Sequence, residues 1–201
     1  MSDRKGQLPI MEDFYTIQGE GKYTGHSAYF IRTAACDVGC PFCDVKESWQ
    51  IEDNQWQMIS NIVKKVGEAP LAVITGGEPL MHNLDELCDA LQKKKIRTHI
   101  ETSGSSAFSG QWDWFTLSPK KRKMPLEENW KHANELKIVI SRPNDFKFAE
   151  ECANKVTEDC LLYLQPEWDR SDNILPEIIA YIKKYPKWKM SLQTHKYMDI
   201  P

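Results

Sequence analysis

No apolar run in this chain approaches the roughly 18 residues that a membrane-spanning helix needs. The opening Met1-Ser2-Asp3-Arg4-Lys5-Gly6 has no apolar stretch behind it, so no secretory signal is read there either. A surplus of one charge is missing as well. The 26 basic and 29 acidic residues leave a formal net charge of −3, which gives no broad basic field for nucleic acid. The one basic run, Lys120-Lys121-Arg122-Lys123, is short and reads as a solvated loop. Repeats, low-complexity segments and linkers are lacking, so residues 1–201 read as a single domain large enough to bury a core. A disulfide framework is not expected in a cytoplasmic chain with reduced thiols. Of the six cysteines, Cys36, Cys40 and Cys43 fall within eight residues, and such a cluster points to metal or catalysis. Cys88, Cys152 and Cys160 are scattered and read as small core residues.

What the chain does have is alternation. Strands are predicted over 28–32, 71–74, 96–100, 114–117, 135–140, 161–164 and 188–192. Helices are predicted over 53–66, 84–94 and 174–184, the last with Pro176 tolerated in its first turn. Strand–helix alternation predicts an α/β fold with parallel strands and crossover helices. Chemistry in such folds sits at the carboxyl ends of the strands. Five polar segments follow strand-like runs: Cys36 to Cys43, Thr75 to Pro79, Glu101 to Gly104, Ser118 to Lys120 and Gln165 to Trp168. Eight full units take about 250 residues, so a partial barrel with reduced helices is expected.

The cysteines have the spacing C-x3-C-x2-C, with Gly39 and Pro41 keeping the segment out of a helix. Thiolates are the usual ligands of a [4Fe–4S] cluster, and three of them leave one iron open. An open iron can bind the amino and carboxylate groups of S-adenosylmethionine and deliver an electron to its sulfonium. A zinc site completed by His82 or His99 is the competing reading. With Phe42 before the last cysteine, the motif resembles the signature of the radical S-adenosylmethionine superfamily, which implies a truncated (β/α)6-type barrel. In Thr75-Gly76-Gly77-Glu78-Pro79 the glycines allow close backbone approach and Glu78 offers an acceptor for an ammonium. In that superfamily such a motif meets the methionine amino group; read alone it is a tight turn.

Further strings resemble the 7-carboxy-7-deazaguanine synthase family of 7-deazapurine (queuosine precursor) synthesis. They are Phe14 to Gly21, Glu101 to Gly104, Leu117 to Lys120 and Ser191 to Lys196, with Pro201 at the end, in the family's order. The resemblance implies a lyase that converts 6-carboxy-5,6,7,8-tetrahydropterin to 7-carboxy-7-deazaguanine with loss of ammonia. It implies that Ile17, Gln18 and Gly19 touch the pterin, with Glu20 beside them. Arg32 meets the substrate carboxylate, for which a guanidinium fork is suited. Thr75 is a further contact, and Pro201, through its carboxylate, joins His195 at the substrate. The S-adenosylmethionine site is implied at Phe42, Cys43, Asp44, Gly77, Glu101, Ser118, Pro119 and Lys120, together with Gln165, Pro166, Glu167 and Trp168.

One departure matters. The family often has threonine after Cys-Asp, where its hydroxyl ligates Mg²⁺. Here Val45 follows Asp44, and Mg²⁺ demands oxygen ligands, so only weak Mg²⁺ dependence is expected. The resemblance further implies a homodimer and reduction by a flavodoxin or ferredoxin. A glycyl-radical-enzyme activase and a non-catalytic metal-binding module stand as alternatives.

Overall fold

The computed structural model describes residues 4–201. The Met1 to Asp3 part of the N-terminal reading lies outside them. Nine strands form one sheet. They are β1 (Gln7–Ile17), β2 (Ser27–Thr33), β3 (Trp56–Met58), β4 (Leu71–Gly76), β5 (Arg97–Thr102), β6 (Trp114–Leu117), β7 (Glu135–Ile140), β8 (Leu161–Pro166) and β9 (Trp188–Met190). Their spatial order is β3-β1-β2-β4-β5-β6-β7-β8-β9. From β2 to β9 every pairing is parallel, while β1 runs antiparallel to both β2 and β3. Among the described residues no ladder joins β3 to β9. The barrel is therefore open and partial, as the alternation predicts.

The helices are α1 (Ile59–Val66), α2 (Asp85–Lys93), α3 (Asn144–Ala153), α4 (Ser171–Lys184) and α5 (Thr194–Met198). Those expected to be reduced are: β5 passes to β6 without a helix, and β6 to β7 through the short 3-10 segment Glu127–His132. Successive side chains on a strand face opposite ways. One face of the sheet packs Ile31, Ile74, Ile100, Phe115, Leu136 and Leu164 against Ile62, Leu87, Leu91 and Ile178 of the helices. The other face holds a small apolar plug of Tyr23, Ala28, Phe30, Leu71 and Val73. Beyond this plug it turns polar toward the strands' carboxyl ends. Cys88, Cys152 and Cys160 are buried free thiols, as expected.

Three elements depart from the sequence expectation. Residues 53–66 are not one helix: a 3-10 turn (Asp53–Gln55) and β3 precede α1. Pairing of Trp56, Gln57 and Met58 with Pro9, Leu8 and Gln7 wins over local helix periodicity. Helix α4 begins at Ser171, so Pro176 lies inside it rather than in its first turn. Strand β9 stops at Met190, short of the predicted 192. Strand β1 was not predicted, because Pro9, Asp13 and a bulge between Ile10 and Glu12 break its alternation. Helix α3, also unpredicted, buries only Asp145, Ala149 and Cys152, too few apolar positions to show a stripe.

Candidate active site

A cavity of about 380 Å³ opens at the carboxyl ends of the parallel strands. Arg32 reaches it from β2, Thr75 and Gly76 from β4, Glu101 and Thr102 from β5, and Gln165 and Pro166 from β8. Ser118 enters from just past β6. Cys36, Cys40 and Cys43 line the same cavity, on the loop that follows β2. So do Ile17, Gln18, Gly19, Glu20, Phe42, Asp44, Gly77, Glu78, Lys120, Glu167, Trp168, His195 and Pro201. Of the residues expected at the site only Pro119 does not line it; it is buried and lies between Ser118 and Lys120 in sequence, both of which do.

The cysteine loop suits an iron–sulfur cluster. All three thiols are half-buried and free. Burial pushes the Cys36 and Cys40 thiols up. The backbone N–H groups of Val38 and Gly39 pull Cys36 back toward thiolate, and Lys120 and Arg122 do so for Cys40. Among the described residues no three His, Cys, Asp or Glu side chains converge as a single metal ion requires. A cubane instead takes its thiolates on separate irons. The zinc reading also loses its fourth ligand. His82 Nε2 bonds the Ala34 carbonyl at 2.7 Å, and His99 Nε2 bonds Thr116 Oγ1 at 2.8 Å. Neither histidine lines the cavity. Burial holds His99 down at about 4.

The basic run is a loop with Lys121 and Arg122 exposed, as expected, but its side chains are engaged. Lys120 donates to the Ser118 carbonyl and hydroxyl at 2.6 and 2.7 Å, and Lys121 pairs with Asp145 at 2.5 Å. Arg122 donates to the Gly39 carbonyl at 2.8 Å, and Lys123 pairs with Asp37 at 2.5 Å. The run braces the cysteine loop, because Asp37 and Gly39 present acceptors toward it.

Glu78 is occupied differently from the expectation of an ammonium acceptor. Its carboxylate accepts from Leu80 N at 3.1 Å, from Ser103 N at 2.8 Å, and from the Ser103 and Thr102 hydroxyls. It ties the turn after β4 to the end of β5. At the rim, Arg32 pairs with Glu12 at 3.2 Å and lies over the Phe14 ring. Lys196 pairs with Asp44 at 2.9 Å and sits over Trp168, whose ring Tyr197 meets edge-on. Burial holds the His195 imidazole below its usual value, although Glu20 pulls the other way, so the ring is neutral at neutral pH.

Lys137, Gln193 and Lys196 also line the cavity and were not among the residues expected there. Lys137 donates to both Glu20 and Glu101, and Gln193 Nε2 donates to Glu20 at 3.0 Å. A signal for Lys137 was present: in Glu135-Leu136-Lys137-Ile138 the two charged residues share a face of a buried strand.

An open parallel sheet carrying a C-x3-C-x2-C loop beside a polar cavity at its carboxyl rim defines a radical S-adenosylmethionine enzyme. Residues 30–115 match the Radical SAM superfamily. The 7-carboxy-7-deazaguanine synthase of Flavobacterium psychrophilum is 49% identical, over 98% of this chain and 95% of its own. That of Synechocystis is 45% identical over 96% and 93%. The crystal structure of QueE from Escherichia coli superposes with a TM-score of 0.82 at 30% identity, covering 96% of this chain and 99% of that one. The chain belongs to the 7-carboxy-7-deazaguanine synthase family.

Proposed function

We propose that this chain converts 6-carboxy-5,6,7,8-tetrahydropterin to 7-carboxy-7-deazaguanine and ammonia, with S-adenosylmethionine as radical source. The observation that carries it is one cavity lined both by the three cysteines and by the family's opening and closing strings. Near-full-length likeness to named synthases favours this over an activase. A [4Fe–4S] cluster held by Cys36, Cys40 and Cys43 supplies, when bound, the electron that cleaves S-adenosylmethionine.

The protein's own residues bind and orient. Phe42, Asp44, Gly77, Glu101, Ser118, Lys120 and Gln165 to Trp168 surround S-adenosylmethionine, with Pro119 lying between two of them in sequence. Ile17 to Glu20, Thr75, His195 and Pro201 take the pterin. Arg32 takes its carboxylate with a planar fork. His195, neutral, offers a ring nitrogen as acceptor without adding charge. Phe42 and Trp168 line the cavity, and Tyr197 packs edge-on against Trp168 from outside it. The chain works as one cytoplasmic domain, as a homodimer, with a flavodoxin or ferredoxin as reductant and no nucleic acid bound. Among the described residues no helix is long and apolar enough to cross a membrane.

The test is anaerobic incubation of the reconstituted protein with reductant, S-adenosylmethionine and the carboxytetrahydropterin. The expected result is a brown protein, about four irons per chain, that forms the deazaguanine. A colourless protein, or a brown one that leaves the pterin unchanged, would reject the assignment. Mg²⁺ dependence gives a second expectation. Val45 has no ligand atom, and Asp44 is already engaged by Lys196. Chelation should therefore change turnover less than about twofold, and Val45→Thr should acquire Mg²⁺ stimulation. A sharp loss on chelation restored only by Mg²⁺ would contradict it.

A further inference from the structure

Lys137 stands in the middle of β7, between Leu136 and Ile138, which are fully buried among the helices. Its side chain takes the opposite face, lines the cavity and is itself buried, the residue being 4% exposed. A buried ammonium persists only when paired. This one is paired twice, with Glu101 at 2.7 Å and with Glu20. Those carboxylates come from the two sides of the site. Glu20 belongs to the loop after β1 and Glu101 to β5. Gln18 links them again: its Nε2 donates to Glu101 Oε1 at 2.8 Å, and its Oε1 accepts from Glu20 N at 3.0 Å. The result is a closed ring of Lys137, Glu20, Gln18 and Glu101.

We propose that Lys137 is a positioning residue that locks the pterin-binding loop at Gln18 to Glu20 onto the S-adenosylmethionine-binding edge at Glu101. The inference rests on the assignment of Glu20 to the pterin and Glu101 to S-adenosylmethionine. With the lysine in place, the two ligands are presented to each other in fixed register. Without it, two partly buried carboxylates, their residues bridged only by Gln18, face each other, and their repulsion makes the pair take up a proton at a higher pH than in the wild type. Burial works against the Lys137 ammonium, but Glu101 and Glu20 outweigh it and hold it above its ordinary range. Lys137 is thus a fixed cation and not a proton donor in turnover.

Among the described residues no other cation is hydrogen-bonded to both carboxylates. His99 on β5 is kept neutral by burial. On β7 itself, Glu135 accepts from Lys22 N and Trp114 Nε1. On β8, Tyr163 lies opposite Lys137 in register. Beyond β6, the Lys120 ammonium is committed to Ser118. From α5, His195 is uncharged and lies against Gly19.

The experiment uses reconstituted holoenzyme with Lys137→Met, and Lys137→Met/Glu101→Gln as a second variant that removes the like-charge pair. Steady-state constants for both substrates and the pH profile of kcat/KM are measured. In Lys137→Met, KM should rise at least about tenfold for pterin and S-adenosylmethionine together. The acidic limb of its profile, activity rising with pH, should lie at higher pH than in the wild type. The double variant should lose that shift and keep a high KM for S-adenosylmethionine. A Lys137→Met enzyme with the wild-type pH profile, even one less stable, would overturn the proposal. If only the double variant folds, wild-type KM values for both ligands would overturn it. Failure of the wild type to form product would instead refute the assignment of function, before any variant is made.

Discussion

Gly77→Ala should yield a protein that retains little iron, does not bind S-adenosylmethionine and melts about 6–12 °C lower. A Cβ at Gly77 would lie 2.1 Å from the Ala35 carbonyl oxygen and 2.7 Å from its carbon. Both are backbone atoms, and the contact cannot be relieved by turning a side chain. The backbone around it is already committed: Gly77 N donates to Thr33 O and Glu78 N to Ala35 O, each at 2.8 Å. Ala35 itself holds a left-handed φ of 78° and directly precedes Cys36. The clash is therefore transmitted into the first ligand of the cysteine loop. Overpacking of this kind reaches about 3 kcal/mol, and each kcal/mol moves the melting temperature of a chain this size by about 2–4 °C. Gly25→Ala is the control. Gly25 has a φ of 88° with nothing within 4 Å of the added carbon. It should cost only the roughly 1–2 kcal/mol of a left-handed alanine, with iron content unchanged. Iron analysis and thermal melting of the two variants decide the matter, and equal iron in both would count against the packing argument.

Gly19→Ala should separate the two halves of the site. The added Cβ would fall 2.2 Å from His195 Nδ1 and 2.8 Å from His195 N. Thr194 holds Gly19 through two bonds to its carbonyl, from backbone N and from Oγ1, each 3.0 Å. The segment carrying His195 must move off, and both bonds go with it. Two such bonds at about 1 kcal/mol each, plus displacement of His195, the proposed substrate ligand, amount to about 2–3 kcal/mol. At 1.4 kcal/mol per tenfold, kcat/KM for the pterin should fall about 30- to 150-fold. The cysteines themselves are not part of this contact, so iron content should stay within about twofold, while S-adenosylmethionine affinity should fall less than the pterin kcat/KM, because Lys196 of α5 also pairs with Asp44. A pterin kcat/KM that falls by less than about fivefold would mean that α5 does not hold a substrate ligand.

The parallel part of the sheet was legible in the sequence because strands buried on both faces leave short apolar runs, as in Leu71 to Ile74, and Glu135 to Ile140 shows charged and apolar residues in alternation before its apolar end. Strand β1 was not. It pairs antiparallel near the sheet's edge and tolerates Pro9 and Asp13, so its evidence lies in its partners rather than in itself. The 53–66 segment failed for the same reason, its first half being claimed by β1. At the site, residues at strand ends were legible through motif spacing. Glu78 lines the cavity, yet four donors from Leu80, Thr102 and Ser103 make it a fastener, which no local pattern reveals. Lys121 to Lys123 looked like solvated charge because Asp145, Gly39 and Asp37, their partners, are distant in sequence.

The contacts that complete the cavity span long stretches of chain. Lys137 and Glu20 are 117 residues apart, Lys196 and Asp44 152, Gln193 and Glu20 173, and Thr194 and Gly19 175. Closing loops of that length is entropically costly until the intervening strands are in order. The cysteine segment from Ala35 to Cys43, by contrast, is tied to residues made well before the chain's last ten, from Trp49 and Glu78 to Arg122 and Lys123. During synthesis, the proposed cluster ligands at residues 36–43 are made early, whereas the proposed grip on the pterin waits for residues 193–196. On the proposed assignment, competence to bind substrate arrives after the capacity to bind metal, and an unfinished chain presents a cluster site with no substrate beside it.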